Sequence, residues 1–289
     1  MGKIVAAVAA SHAPGLVGLR DKAPAELRER MEGAYHHISQ TVRNARPDVL
    51  IVLGNDHLAN SRILEYPDYL IGMASEHVGP HEWFKPWLGV QGPDYHVPGN
   101  PAVAETLFSG FSKAGIRVVG RRGNLAFDDN VSTPIILGEF ENGETSLVPI
   151  LMNCTVPPVP DQYRQYAFGQ VLKQIIEEDL PVDFRVALYG SGGLSHEPGG
   201  SRYFYIDKQF DEKFLRLLNE GDHDKILQEM TYERMEDAGA GGTAEILAWF
   251  PILGAVGNKP CKTIFYTGDV EEWKCGIGVV EWLMEESDR

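Results

Sequence analysis

The sequence predicts a single layered α/β domain that spans residues 1–289. Short apolar runs alternate with segments of helical spacing, and this alternation is typical of a sheet covered by helices. The chain is long enough to bury a sizeable core, and no internal repeat, low-complexity tract or long linker divides it. Its 43% hydrophobic and 23% charged residues are ordinary for a globular protein, which argues against disorder.

Apolar runs and helical spacing give the elements of the first half. The run Asp48–Gly54 is apolar after its first residue and predicts a buried strand. Pro24–Val42 has apolar residues at helical spacing, and Pro101–Ala114 begins with proline and ends before glycine, so both predict helices. The long stretch Glu76–Asn100 is rich in Gly, Pro, Trp and His and predicts a lid or binding loop. Further strands are predicted at Ile4–Ala10, Tyr69–Met73 and Ile116–Val119.

The second half continues the alternation. Ala244–Val256 is apolar on nearly every side and predicts a buried helix. Ile206–Asn219 and Asp222–Met230 predict helices that face solvent. The other predicted elements are a helix at Asp161–Glu178 and strands at Ser146–Met152, Phe184–Gly190, Cys261–Tyr266 and Cys275–Val280.

Charge and cysteine content exclude several classes of partner and compartment. The formal net charge of −15 repels phosphate backbones and anionic lipids, so we expect no nucleic-acid partner and no membrane partner. The run Ile4–Ala10 is too short to cross a bilayer, and no cleavage-site pattern follows it, so we expect no signal peptide. Three cysteines without a C-x-x-C pair fit reduced thiols, which favours a cytoplasmic location.

Three histidines follow predicted strands directly: His12, His57 and His196. A single loop histidine is usually a surface or structural residue. In open α/β sheets, however, ligands bind beyond the carboxyl ends of the strands. If these strands are parallel neighbours, their three imidazoles converge, and the sequence therefore predicts a site there. Histidines of the long loop that could edge a pocket are His77, His81 and His96.

Glu245 is an acidic residue in an otherwise apolar helical segment. One interpretation is that Thr243 caps the helix and Glu245 complements its dipole. The other is that a buried carboxylate requires a partner or a metal ion. Two imidazoles and one carboxylate form the arrangement typical of non-haem Fe(II) oxygenases, so this residue could complete a metal site.

Four segments of the chain match a known family in their order and spacing: Ala9–Pro14 (AASHAP), Val52–His57 (VLGNDH), Gly190–His196 (GSGGLSH) and Gly242–Trp249 (GTAEILAW). Together they resemble the class III (LigB-type) extradiol ring-cleaving dioxygenases. Within that family the resemblance is to catalytic beta subunits such as that of protocatechuate 4,5-dioxygenase, and it covers nearly the whole chain.

The resemblance implies a three-layer α/β/α sandwich around a central mixed sheet. It implies a single Fe(II) ion bound by His12, His57 and Glu245, with a small aromatic molecule and O₂ as substrates. It makes His196 the acid/base residue beside the substrate and Ser195 a substrate contact. The implied activity is opening of a catechol-like or aminophenol-like ring.

One position departs from the family pattern. Members commonly carry Asp-His-Gly where this chain has Asp128, Asp129 and Asn130, so Asp129 takes the place of a substrate-contacting histidine. Asp129 could instead be an ordinary turn residue. If it is ionised in the pocket, which we expect, it disfavours a ring that carries a carboxylate nearby, such as protocatechuate, and favours amino or hydroxyl substituents. If the pocket raises its pKa enough to protonate it, Asp129 could instead donate a hydrogen bond as the family histidine does.

The expected assembly is a homo-oligomer, and a dimer is the commonest case. A separate small partner subunit is possible, because none is fused to this chain. Two other functions stay open. The chain could be a non-catalytic metal-binding or partner-binding protein on the same scaffold, or a zinc hydrolase with the same two histidines and glutamate.

Overall fold

The computed structural model describes residues 1–89, 94–142 and 145–284. Its strands are β1 (Lys3–Ala10), β2 (Val49–Asn55), β3 (Tyr69–Gly72), β4 (Glu76–Gly79), β5 (Tyr95–Pro98), β6 (Val119–Arg121), β7 (Ser146–Met152), β8 (Arg185–Ser191), β9 (Cys261–Thr267) and β10 (Ile277–Trp282). Its α-helices are α1 (Gly15–Gly18), α2 (Ala25–Asn44), α3 (Pro101–Lys113), α4 (Asp129–Leu137), α5 (Gln162–Asp179), α6 (Lys208–Glu220), α7 (His223–Glu229), α8 (Tyr232–Ala238) and α9 (Phe250–Val256).

Eight strands form one mixed sheet in the order β6-β3-β7-β2-β8-β1-β10-β9. The four central strands β7, β2, β8 and β1 run parallel, whereas β3 and β10 pair antiparallel with their central neighbours. The central strands are apolar on both faces because helices cover both sides of the sheet. The predicted mixed central sheet is therefore confirmed.

Alternate residues of each central strand pack into two different cores. Leu50 and Val52 of β2 lie in one core with the apolar residues of α2 and α4. Ile51 and Leu53 lie in the other core with the apolar residues of α3, α5, α6 and α9. A sheet between two helical layers is a three-layer α/β/α sandwich, so the predicted fold class is confirmed.

Several predicted elements require correction. The stretch Glu76–Asn100 is not one loop, because β4 and β5 pair as a short antiparallel ribbon, and its residues 90–93 lie outside the described chain. The strand predicted at Ile116–Val119 begins only at Val119. The predicted solvent-facing helix Ile206–Asn219 is α6, which in fact buries one face that includes Phe210 and Phe214.

The predicted helix Ala244–Val256 is divided in two. A 3-10 helix spans Thr243–Trp249 and α9 follows from Phe250. Pro251 lies at the start of α9, where its missing N–H is tolerated. In a continuous α-helix, its ring would clash with the carbonyl of Leu247 one turn earlier. The break lies a few residues after Glu245 and leaves this residue on the tighter 3-10 turn.

No helix in the described ranges is both long enough and apolar enough to cross a bilayer. The three cysteines Cys154, Cys261 and Cys275 are buried and unpaired.

Candidate active site

The three strand-end histidines lie at one edge of the sheet. His12 and His57 come two residues after β1 and β2, and His196 follows β8 by five residues. These strands are parallel neighbours in the order β2-β8-β1, so their carboxyl ends meet. The pairing of these strands thus brings the three histidines together, as expected from the sequence.

His12, His57 and Glu245 form a compact cluster of metal-ligand type. Nε2 of His57 lies 2.8 Å from Oε1 of Glu245, and Nε2 of His12 lies 3.1 Å from Oε2 of the same carboxylate. One ligand atom from each residue lies within 4.8 Å of the other two. Two imidazole nitrogens and a carboxylate oxygen at this spacing suit a divalent transition metal.

Hydrogen bonds at Nδ1 fix both imidazoles with Nε2 toward the carboxylate. The hydroxyl of Ser191 donates to the carbonyl of Asn130 at 2.5 Å, so its oxygen is left to accept from Nδ1 of His12 at 3.1 Å. Nδ1 of His57 donates to Oδ2 of Asp128 at 3.0 Å. Each ring therefore keeps its Nε2 lone pair free for a metal ion, as histidine ligands usually do.

The 3-10 helix and a glycine loop bring Glu245 close to the sheet. Glu245 is only 4% exposed, and the backbone N–H of Gly193 donates to its Oε2 at 3.3 Å. A side chain at Gly192 would collide with the Glu245 carbonyl oxygen, so only glycine permits this close approach. The buried carboxylate thus lies against two imidazoles and a backbone donor, and the 3-10 helix begins after Gly242 without a side-chain cap from Thr243.

The cluster shifts the pKa of its members strongly. Burial on its own would raise the pKa of Glu245, but the imidazoles of His196, His57 and His12 hold it well below its usual value. Burial would lower the pKa of His57, but the carboxylates of Asp128, Asp129 and Glu245 raise it well above its usual value. The three carboxylates around His57 thus favour a positive charge at this position.

His196 stands beside the cluster without being part of it. Its Nδ1 donates to the carbonyl of Leu194 at 2.8 Å, and its Nε2 lies 3.7 Å from Oε2 of Glu245. Burial would lower the pKa of His196, but the Cys275 sulfur and the Glu245 carboxylate raise it well above its usual value. His196 lines the same cavity as the cluster.

Asp128 and Asp129 begin α4, which the sequence did not predict as a helix. Asp128 caps it by accepting from the N–H of Asn130, and its second oxygen accepts from His57. Asp129 lines the cavity with Oδ1 at 3.2 Å from Nδ1 of His57. Burial would raise the pKa of Asp129, but the charge of His57 lowers it below its usual value. Asp129 is thus a helix residue on the cavity wall rather than a turn residue.

Ser195 lies away from the cavity wall. Its side chain is fully buried, its N–H and hydroxyl donate to the two oxygens of Asp211 at 2.8 and 2.9 Å, and Tyr266 donates to the same carboxylate. The predicted substrate contact by Ser195 therefore gains no support. Asp211, which the sequence analysis did not single out, holds the loop before His196. A side chain at Gly276 would collide with the carboxylate of Asp211.

The cluster opens into a cavity of about 520 Å³. His12, His57, Glu245, His196 and Asp129 all line it. Apolar and aromatic residues form much of the remaining wall, including Leu19, Leu58, Phe84, Trp87, Pro198, Tyr203 and Trp273. The histidines His77, His81 and His96, which were expected to edge a pocket, are absent from its lining. A polar metal-type cluster below an apolar wall is a common form of small-molecule site.

Comparison of the sequence with known proteins finds relatives that are named as dioxygenases of aromatic compounds. A 2,3-dihydroxyphenylpropionate/2,3-dihydroxicinnamic acid 1,2-dioxygenase of Photorhabdus laumondii subsp. laumondii is 22% identical over 94% of this chain and 95% of its own length. A protein of the same name from a Rhodococcus species is 24% identical over 98% of this chain and 83% of its own length. Gallate dioxygenase of Pseudomonas putida is 31% identical, over 40% of this chain and 33% of its own length.

Among solved structures, the uncharacterized protein JW3007 of Escherichia coli K12 aligns with a TM-score of 0.47 and 14% identity, over 96% of this chain and 99% of that chain. The family described as the catalytic LigB subunit of aromatic ring-opening dioxygenase matches residues 6–278. This match covers most of the chain and confirms the resemblance carried by the four motifs. The protein therefore belongs to the LigB family of aromatic ring-opening dioxygenases.

Proposed function

We propose that this protein is an Fe(II)-dependent extradiol-type dioxygenase that opens a catechol-like or aminophenol-like ring with O₂. The observation that carries this proposal is the convergence of His12, His57 and Glu245 at the base of the cavity, with both Nε2 atoms within 3.1 Å of the carboxylate. Fe(II) bound by these residues would supply the one-electron chemistry that lets O₂ react with an aromatic ring. The family membership supports the same reaction class.

His196 is the proton-transfer residue of this proposal. Its Nδ1–H donates to a backbone carbonyl, so Nε2 is the atom that accepts a proton from a ring hydroxyl and later returns it. Its position next to Glu245 puts that atom beside the metal ligands without making it one of them. A positioned general acid/base of this kind typically contributes about 10²–10⁴-fold in rate.

The other wall residues hold the substrate and keep water out. Phe84, Trp87 and Trp273 offer apolar faces against which an aromatic ring can pack. Exclusion of water strengthens the electrostatic contacts inside the cavity. Asp129, next to His57, is the residue we expect to select among ring substituents on its side of the cavity.

Iron reconstitution tests the ligand assignment. The protein is loaded with Fe(II) without oxygen and compared with the variants His12→Ala, His57→Ala and Glu245→Ala. We expect one iron per chain in the wild type and loss of iron in each variant, with the fold retained by circular dichroism. His36→Ala, which changes an exposed histidine of α2, is the matched control and should keep its iron. Full iron occupancy in all three ligand variants would refute the assignment.

Oxygen uptake tests the activity. Catechols, aminophenols and hydroquinones are added to the iron-loaded protein, and O₂ consumption is followed together with loss of the aromatic absorbance. We expect at least one of these classes to be opened. Hydrolytic activity that needs Zn²⁺ and no O₂ would favour the zinc hydrolase instead. Metal binding with neither activity would favour a non-catalytic binding protein.

A further inference from the structure

One peptide unit connects the side chain of His196 to a buried carboxylate on α6. The carbonyl of Leu194 accepts a hydrogen bond from Nδ1 of His196 at 2.8 Å. The N–H of the same peptide unit, which belongs to Ser195, donates to Oδ1 of Asp211 at 2.8 Å. The imidazole of His196 and the carboxylate of Asp211 are therefore hydrogen-bonded to opposite ends of one peptide.

Neutral donors hold Asp211 in place. Besides the N–H of Ser195, the hydroxyl groups of Ser195 and Tyr266 donate to its Oδ2 at 2.9 and 3.0 Å. Three donors suit an ionised carboxylate, which can only accept hydrogen bonds. The side chain of Asp211 is fully buried, so water does not screen its effect on the peptide.

The charge of Asp211 costs the folded chain stability. Burial raises the pKa of Asp211 from 3.8 to about 7, although the hydrogen bonds from Ser195 and Tyr266 lower it. An asparagine of the same shape could also form hydrogen bonds here and would bring no charge into the core. A buried carboxylate with a strongly shifted pKa is a candidate for a functional role, and the peptide beside Asp211 shows where that role could lie.

Hydrogen bonds at the two ends of a peptide strengthen each other. Resonance joins the N–H to the C=O, so a carboxylate at the N–H increases the negative charge on the carbonyl oxygen. The Leu194 carbonyl is therefore a stronger acceptor for Nδ1 of His196 than a carbonyl without such a partner. A stronger acceptor at Nδ1 fixes the ring orientation and raises the electron density at Nε2.

The other contacts of this loop hold its backbone. The N–H of His196 donates to Oγ1 of Thr243 at 3.2 Å, and the N–H of Gly276 donates to the carbonyl of Ser195 at 2.9 Å. The sulfur of Cys275 also approaches Nδ1 of His196, but at 3.7 Å. The bond to the Leu194 carbonyl is thus the shorter of the two contacts at Nδ1.

We propose that Asp211 is a positioning residue for His196, which it orients and polarises through the peptide between Leu194 and Ser195. Asp211 is not part of the cavity lining and therefore acts without touching the substrate. This inference rests on the proposed function, in which Nε2 of His196 accepts and returns a proton. Asp128 supports His57 directly in a similar way, whereas Asp211 supports His196 across one peptide.

The variant Asp211→Asn removes the charge and keeps the shape of the side chain. At pH 8, above the pKa of about 7, Asp211 is ionised in the wild type. We expect kcat of the iron-loaded variant to fall about tenfold with little change in KM, the lower end of the effect of losing the outer partner of a functional histidine. Its iron content should stay at one per chain. Its stability should be no lower than that of the wild type, because no charge is buried.

Leu217→Val is the matched control on the same helix. It shortens a buried apolar side chain that takes no part in these hydrogen bonds, so it should lose stability and keep kcat. A purely structural role for Asp211 would instead make stability and turnover fall together in Asp211→Asn. The opposite responses of the two variants therefore distinguish positioning from packing.

A second measurement requires neither iron nor turnover. In the full-length, iron-free protein labelled with ¹⁵N-histidine, the Nδ1 resonance of His196 reports the strength of its hydrogen bond. The variant His196→Gln identifies this resonance by its loss. We expect the resonance to move upfield in Asp211→Asn, because the Leu194 carbonyl becomes a weaker acceptor, and to stay in place in Leu217→Val.

The outcomes separate this inference from the proposed function. An unchanged Nδ1 resonance in Asp211→Asn would refute the inference whatever the activity. A wild-type kcat in Asp211→Asn, or an equal fall of kcat in Leu217→Val, would refute it as well. If the resonance moves as expected but the iron-loaded wild type opens no ring, Asp211 still positions His196 and the proposed function fails. If Asp211→Asn does not fold, Asp211→Ser, which also removes the charge, decides between these results.

Discussion

The two imidazoles of the metal cluster are oriented by acceptors of different charge. His12 donates to the hydroxyl of Ser191, whereas His57 donates to the carboxylate of Asp128. A charged acceptor makes an imidazole a stronger base and a stronger ligand than a neutral acceptor does. The two ligands are therefore not equivalent, although the sequence presents both as histidines after a strand.

At the same scale, His196 should affect turnover and leave metal binding intact. His196→Ala is expected to keep one iron per chain, because Nε2 of His196 is 3.7 Å from Glu245 and the cluster is complete without it. Its turnover should fall by about 10²–10⁴-fold, the usual contribution of a positioned acid/base. Metal analysis and steady-state rates check both points. Loss of iron would make His196 a ligand and contradict its assignment.

Asp129 should set the preference for ring substituents on its side of the cavity. Its carboxylate lies 3.2 Å from Nδ1 of His57, and contact with this imidazole lowers the pKa of Asp129 below its usual value, which favours the ionised form. We expect protocatechuate to be a poor substrate and Asp129→His to improve its turnover relative to rings with amino or hydroxyl groups. Relative kcat/KM values give the test. Efficient protocatechuate cleavage that neither Asp129→His nor Asp129→Asn changes would exclude Asp129 as a determinant.

At the scale of elements, the sequence predicted the strands most accurately where the local hydrophobic pattern agrees with the tertiary packing. The buried strands β2, β7 and β8 read as apolar runs, and their bounds differ from the prediction by at most one residue. The histidines at strand ends followed from the same pattern. Glu245 stood out because it interrupts an apolar segment. In each of these places, the local sequence and the tertiary environment require the same structure.

The elements that escaped prediction depend on contacts distant in sequence. The helix α4 is capped by Asp128, begins with Asp129 and Asn130 and contains Pro134, a composition that is typical of a turn. Its capping carboxylate is held by His57, from a different part of the chain. The buried role of Asp211 likewise depends on Ser195 and Tyr266. No local pattern carries this information.

Asp211 of α6 makes the free energy of unfolding depend on pH in a testable way. Burial raises the pKa of Asp211 from its usual 3.8 to about 7, despite the hydrogen bonds from Ser195 and Tyr266. Between about pH 4 and 7 the folded state holds a proton that the unfolded state lacks, so stability falls as pH rises through this window. Above about pH 7, Asp211 is ionised in both the folded and the unfolded state, and its contribution to the free energy of unfolding is fully lost. The expected loss is on the order of 1 to 4 kcal/mol.

Urea unfolding at pH 5 and pH 8 measures this effect against the variant Asp211→Asn. The variant has no charge to bury, so the wild type should lose free energy of unfolding relative to it between pH 5 and pH 8. Equal pH dependence in the two proteins would show that Asp211 is ionised throughout. Asn219→Asp on the same helix is not a suitable control, because Asn219 bonds to Thr263 of β9. The control is Lys262→Met, which changes an exposed lysine of β9.

At the scale of the whole molecule, the central sheet positions the site, and the two helical layers cover the two faces of the sheet. The strands β1, β2 and β8 provide the three histidines, and the 3-10 helix before α9 provides Glu245 from one of the covering layers. The site therefore exists only in the folded chain. This explains why four separate sequence motifs identify the family better than any one of them.

Assembly is a further prediction at this scale. We expect a dimer, because closed symmetric dimers are the commonest assemblies. Trp83 and Trp87, which lie close together in the chain, are 71% and 67% exposed, and such surfaces often mark contact sites. Light scattering at micromolar concentration should give about twice the chain mass of 32.0 kDa. A single species of 32.0 kDa would refute the dimer. If a separate small subunit is required, the protein should gain activity only when that subunit is added.

Isotope labelling tests the central claim most directly. The iron-loaded protein is given a substrate identified by O₂ uptake under ¹⁸O₂, and the ring-opened product is analysed by mass spectrometry. We expect both atoms of one O₂ molecule in the product, with no incorporation in the Glu245→Ala variant, which lacks a metal ligand. Oxygen derived only from water, or undiminished incorporation in Glu245→Ala, would contradict a dioxygenase reaction at His12, His57 and Glu245.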